Sequence, residues 1–84
     1  MAQVIVAIVQ RALEAIIGPL VDQPELLRIN IMELATSILV EIDVSREDVP
    51  KVVGKSGRTI GAINVIMGNI GAKNKTRIRV ILNE

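Results

Sequence analysis

Gly54 and Gly57 stand three residues apart around Lys55 and Ser56, with Val52-Val53 directly before them and apolar residues at helical spacing directly after. Glycine reaches unusual backbone dihedrals without steric cost, and two so close together end one helix and start another within a single corner. Any fold the chain adopts has to accommodate this helix, tight turn, helix. A corner without Cβ atoms lets another backbone lie against it. The second helix starts at about Arg58, so its unpaired N–H groups and the positive end of its dipole point into the same space, which suits anionic oxygen. Lys55 and Arg58 add full charges. Val49, Val52, Val53, Ile60 and Ile63 are placed to pack the two helices and to floor a groove beside the turn.

Gly-Lys-Ser also closes the nucleotide-binding P-loop, but that motif requires glycine at position 49, which is Val49, and a strand before the loop. ATP or GTP binding is therefore not expected. The 84 residues contain no Cys and no His, which removes disulfides, the usual zinc sites and the commonest general base. Ser37, Ser45 and Ser56 have no His to activate them, and the carboxylates fall mostly on exposed strand positions or at a helix start. No catalytic residue, metal site, cofactor or small-molecule substrate is expected. Met1-Ala2-Gln3 lacks the basic start of a signal peptide, and Val4 to Val9 is far short of the roughly 20 residues that cross a bilayer. A cytoplasmic protein without a membrane segment fits best.

The net charge of +1 hides an asymmetry. Residues 1–44 carry two arginines against six carboxylates, a balance of −4, whereas residues 45–84 carry eight cations against three carboxylates, a balance of +5. The half with the glycine corner is the basic one, so a polyanion approaching it meets a positive field. Phe, Tyr and Trp are absent, which argues against nucleic-acid modules that stack bases on aromatic rings, such as RNA-recognition motifs and OB folds. Half the residues are apolar, rich for a domain of this size, which leaves some of that surface for a partner to cover.

Taken in order, Ile5, Ile8, Val9, Ala12, Leu13, Ile16 and Ile17 recur at three- and four-residue steps and predict a helix over about 3–17, stopped by Gly18-Pro19. Leu27, Ile29 and Ile31, and then Ile38, Val40, Ile42 and Val44, alternate with other residues, predicting a hairpin over about 26–44. Ser45 reads as the N-cap of a short helix with acidic residues in its first turn; Pro50 is awkward there, and a start near Glu47 or Asp48 is the alternative. The helix, corner and second helix span about 46–73. Gly57, Gly61, Asn64 and Gly68 form a small-residue stripe on the second helix, read either as a surface for close approach or as a loosely held helix. A basic loop, Lys73 to Lys75, leads to a last strand over about 76–82, with Arg77 and Arg79 facing away from the core.

Val-Val-Gly-Lys-Ser-Gly-Arg-Thr-Ile resembles the signature of the K-homology (KH) family, an apolar pair, then G-x-x-G, then Ile three residues later. With the order helix, strand, strand, helix, helix, strand, the whole chain is similar to one α+β type II KH domain, and its size to the small single-KH proteins of bacteria, the KhpA family. The resemblance implies a three-stranded mixed sheet covered on one face by three helices, and a non-catalytic, post-transcriptional RNA-binding role or an RNA chaperone. In KH domains the G-x-x-G turn clamps about four single-stranded nucleotides. Carried over, the clamp falls on Gly54, Lys55, Ser56 and Gly57, with Lys51 and Arg58 beside it and with Lys73 and Lys75 in the variable loop at the groove rim. Arg58 and Lys55 would neutralise phosphates, the Arg58–Ile60 amides would bond phosphate oxygens, and Val52, Val53 and Ile60 would meet bases. The family often pairs with itself or with a larger KH-containing protein, so a second reading makes the corner and the apolar helices a KH–KH interface.

Overall fold

A computed structural model describes the backbone of residues 2–84 and the side chains of residues 4–84; Met1 and the side chains of Ala2 and Gln3, on which the absence of a basic leader is read, lie outside it. The elements are α1 (Ala2–Ile17), β1 (Arg28–Glu33), β2 (Ser37–Asp43), α2 (Val49–Val53), α3 (Arg58–Lys73) and β3 (Arg77–Leu82). In α1, Ile5, Val9, Leu13 and Ile17 recur every four residues, so one stripe is buried along the helix. β1 and β2 pair antiparallel, with Ile29 opposite Ile42 and Ile31 opposite Val40. β3 lies parallel to β2, with Ile78 beside Ile38 and Val80 beside Val40. A parallel return requires a crossover, and α2 and α3 supply it. The strand order is β1-β2-β3.

The alternation sends Ile38, Val40, Ile42, Ile78 and Val80 to one face, where they join the α1 stripe, Val52, Ile63 and Met67 in one core. The architecture is the α+β, type II KH arrangement that the periodicity and the resemblance predict. The opposite face of the sheet carries Arg28, Asn30, Met32, Leu39, Glu41, Asp43, Arg77, Arg79 and Ile81. Among the described residues no helix is long and apolar enough to cross a membrane.

Of the small-residue stripe, Asn64 is the member with a structural partner. Its side-chain amide donates to the Val80 carbonyl (2.9 Å) and its carbonyl accepts from the Val80 N–H (2.9 Å). It thereby mimics a neighbouring strand on the free edge of β3 and ties α3 to it. Cβ atoms at Gly57, Gly61 and Gly68 would meet nothing within 4 Å, so no close approach inside the molecule explains these glycines, and α3 runs through Gly61 and Gly68 to Lys73 without a break. Gly71 is different: a Cβ there would collide with the Thr76 carbonyl oxygen. The reason is the helix end itself, where the Thr76 N–H donates to Gly71 (2.8 Å) and the Lys75 N–H to Ala72 (3.3 Å). This is the six-to-one and five-to-two pairing of a Schellman cap. Lys75 occupies the left-handed position of that cap, at φ 55°.

Candidate nucleic-acid interface

The approach to the glycine corner differs from the expected capped helix. Arg46–Asp48 form a 3-10 turn and α2 begins only at Val49. Pro50 therefore sits in the first turn of α2, where its missing N–H costs no helical hydrogen bond. The Ser45 hydroxyl does not cap a helix. It donates to Asp48 Oδ2 at 3.0 Å.

Asp48, a helix-start carboxylate expected at the surface, is instead buried, with 1% of its surface exposed. Its oxygens accept from the backbone N–H groups of Asp22 (3.1 Å) and Gln23 (3.0 Å), from Ser45, and from Lys51 Nζ (3.2 Å). The Asp22 N–H, against the opposing cost of burial, leads the set of hydrogen bonds that holds its pKa down at about 2. Lys51 also pairs with Asp22 Oδ2 at 3.1 Å. The hydrogen bonds to Asp22 and then Asp48 raise its pKa. This carboxylate pins the start of α2 to the loop after α1, and so fixes the platform from which the corner projects.

At the corner the Gly54 N–H closes α2 by donating to Pro50 (2.9 Å), and the Gly57 N–H donates back to Gly54 (3.2 Å). Gly54 has φ 78°, ψ 171°, a region open essentially to glycine alone. A Cβ there would also run into the Thr59 side chain and lie 2.8 Å from the Thr59 nitrogen. Ser56 (φ 57°, ψ 29°) and Gly57 (φ 75°, ψ 15°) follow in left-handed backbone. The result is a short, bare knuckle ahead of α3, with the side chains of Lys55, Ser56 and Arg58 exposed. Thr59, packed under Gly54, escaped the sequence reading because nothing in the motif marks it.

Among the residues singled out from sequence, Gly54, Lys55, Ser56, Gly57 and Arg58 lie together, with Val53 and Ile60 half-buried beside them. One assignment is overturned, and two of the groups prove to have partners inside the fold. Val52 is completely buried, so it supports the corner from below and has no surface for a base. Lys51 is occupied by Asp22 and Asp48. The Arg58 N–H donates to the Lys55 carbonyl, so it is spent inside the turn. Lys73 and Lys75 lie at the far end of α3, about 22 Å from Arg58 along the helix axis at 1.5 Å per residue. They form a separate basic patch.

The family profile described as KhpA/KhpB, KH domain, matches residues 10–82. A protein of Listeria monocytogenes named RNA-binding protein KhpA is 40% identical over 70 residues, covering 83% of this chain and 92% of its own. Proteins of the same name from Chlamydia pneumoniae, at 36% over 69 residues (82% and 88%), and Streptococcus pneumoniae, at 30% over 76 residues (90% and 95%), are also similar. No solved structure gives a significant match. The chain belongs to the KhpA/KhpB KH-domain family.

Proposed function

We propose that this KhpA/KhpB-type KH domain is a non-catalytic, cytoplasmic protein that binds single-stranded RNA by seating the sugar-phosphate backbone on the corner Gly54–Gly57. The observation that carries this reading is the knuckle itself. Its backbone is held in left-handed dihedrals by internal hydrogen bonds, the space outside Gly57 is open, and Lys55 and Arg58 beside it belong to no ion pair among the described residues. The relatives named RNA-binding protein KhpA support the same ligand. In this role Lys55 and Arg58 neutralise phosphates, Val53 and Ile60 offer apolar surface to bases, and the protein acts after transcription as a regulator or RNA chaperone. Changing Lys55→Asp and Ser56→Asp together should abolish binding in a fluorescence-anisotropy titration of single-stranded RNA while the far-ultraviolet spectrum and melting curve stay those of a folded domain. Unchanged affinity in the folded double variant would refute the clamp.

A second reading, association with another KH domain, rests on α3. Ala62 is exposed, as are Val65 (64%) and Ile66 (44%), next to Gly61 and Gly68. A second helix can approach such a surface closely. Sedimentation over a range of concentrations tests it, and a strict monomer would leave RNA as the ligand of the chain alone.

A further inference from the structure

We propose a second contact site for single-stranded RNA, distinct from the glycine corner, where the end of α3 and the start of β3 wrap onto the uncovered face of the sheet. The inference rests on the RNA-binding reading above and extends it to the far end of the molecule. Lys73, Lys75, Arg77 and Arg79 alternate along the chain there, all four exposed. None joins an ion pair among the described residues. The strand register sets Arg77 beside Ser37 and Arg79 beside Leu39, so both arginines stand on the face away from the three helices.

The carboxylates of that face do not answer these charges. Glu41 lies one row further on, beside Ile81. Asp43, at the far end, accepts from the side-chain amides of Asn30 (3.0 Å) and Asn83 (2.9 Å). Asp43 is thus satisfied by neutral donors, while Arg77 and Arg79 pair with no carboxylate among the described residues.

Next to the arginines runs an open groove of about 610 Å³, lined among others by Leu34, Leu39, Ala72, Arg77, Ile78 and Arg79. Leu34 is 61% exposed and Met32, opposite Leu39 in the register, 41%. An apolar floor bordered by unpaired cations matches the two halves of a nucleotide. Bases lie on the floor or stack on guanidinium planes, and phosphates are neutralised with release of counterions. The groove starts at Gly68, about 15 Å along α3 from Arg58, and continues past Ala72 to Arg79, whereas the clamp takes up its four nucleotides at the corner. A strand that engages both sites has to be longer, and the shared positive field makes a strand leaving the corner the occupant that the charges favour.

The test compares a single-stranded RNA tetramer with a dodecamer containing it, followed by amide shifts in the isotope-labelled protein. The tetramer should move the amides of Gly54–Ile60 alone. The dodecamer should in addition move Ser37, Leu39, Arg77 and Arg79. In the variant Arg77→Ser/Arg79→Ser the tetramer affinity should be unchanged, whereas the dodecamer should bind several-fold more weakly, with a log–log salt slope shallower by about 1.4, two contacts at about 0.7 each. A dodecamer that moves only the corner amides, or keeps its affinity and slope in the variant, overturns the proposal. Polyglutamate moving Arg77 and Arg79 at lower concentration than the dodecamer also overturns it, in favour of an acidic protein. Movement of Arg77 and Arg79 with none at Gly54–Gly57 supports this site and sinks the clamp. No movement anywhere sinks both.

Discussion

At one end of α3 the chain turns at Gly54–Gly57 and at the other at Lys73–Thr76, and each corner holds a non-glycine residue in left-handed backbone, Ser56 at φ 57° and Lys75 at φ 55°. The two corners solve the problem differently. The first flanks its strained residue with glycines. One of them, Gly54, is demanded by the chain's own packing against Thr59, and the other, Gly57, by its dihedrals alone, with open space outside. The second keeps lysine at the left-handed cap position where glycine would be cheaper, and places its glycine, Gly71, four residues earlier, where the returning backbone of Thr76 needs the room. A glycine motif is thus not a single requirement. One glycine can serve the fold while its neighbour leaves space for a ligand, and a basic residue can hold a position that stability alone would assign to glycine.

The comparison breaks most visibly at Gly54. Gly54→Ala combines a backbone region closed to side chains with a collision at Thr59, so it should cost about 3 kcal/mol or more. For a domain of this size that lowers the melting midpoint by about 12 °C or more. Gly57→Ala meets no atom and should cost only about 1–2 kcal/mol, the ordinary penalty of a left-handed residue. Equal losses in the two melting curves would show that Thr59 packing is not what distinguishes the glycines.

The platform beneath the first corner gives the next effect. The folded pKa of Asp48 is depressed to about 2 from an ordinary value near 3.8. Its contribution to stability is therefore complete above about pH 4 and is lost as pH falls through about 2. Urea denaturation midpoints of the wild type and Asp48→Asn, compared across pH 2 to 6, should lie far apart at the upper end and converge toward the lower. A gap that stays constant over that range would remove the carboxylate's charge from the account.

The smallest change sharpens the other corner. Lys75→Gly relieves a left-handed lysine, offset in part by the greater chain entropy of glycine, and should raise stability by about 0.5–1 kcal/mol, a few degrees in the melting midpoint. The same variant should weaken binding of the RNA dodecamer while the tetramer is unaffected. Gain of stability with loss of long-strand affinity is the signature of a residue kept for its charge.

Much of the fold was legible because it is periodic. The α1 stripe, the alternation of the hairpin and β3, and the glycine corner each announce themselves within a few residues, since the period of apolar residues reports local geometry directly. The core of the candidate site, Gly54 to Arg58, was legible for the same reason. Lys51 and Asp48 were misread because charge in a sequence says nothing of its partner. Asp22 N–H, which donates to Asp48, lies 26 residues away, and Lys51, three residues on, is drawn into the same network. Val52 lies in the core and Val53 at the groove because adjacent valines on a helix face different sides, and the sequence alone does not say which side is covered.

By itself, then, the sequence determined the order of elements, the buried stripe of each and the place of the sharp corner, because periodicity and glycine act within one turn or one strand. Only the tertiary structure decided that Asp48 is a buried pin, that Asn64 closes the edge of β3 from 16 residues away, and that the basic residues fall into two patches at opposite ends of α3. These depend on which distant backbone groups are brought within hydrogen-bonding reach. No local pattern encodes that.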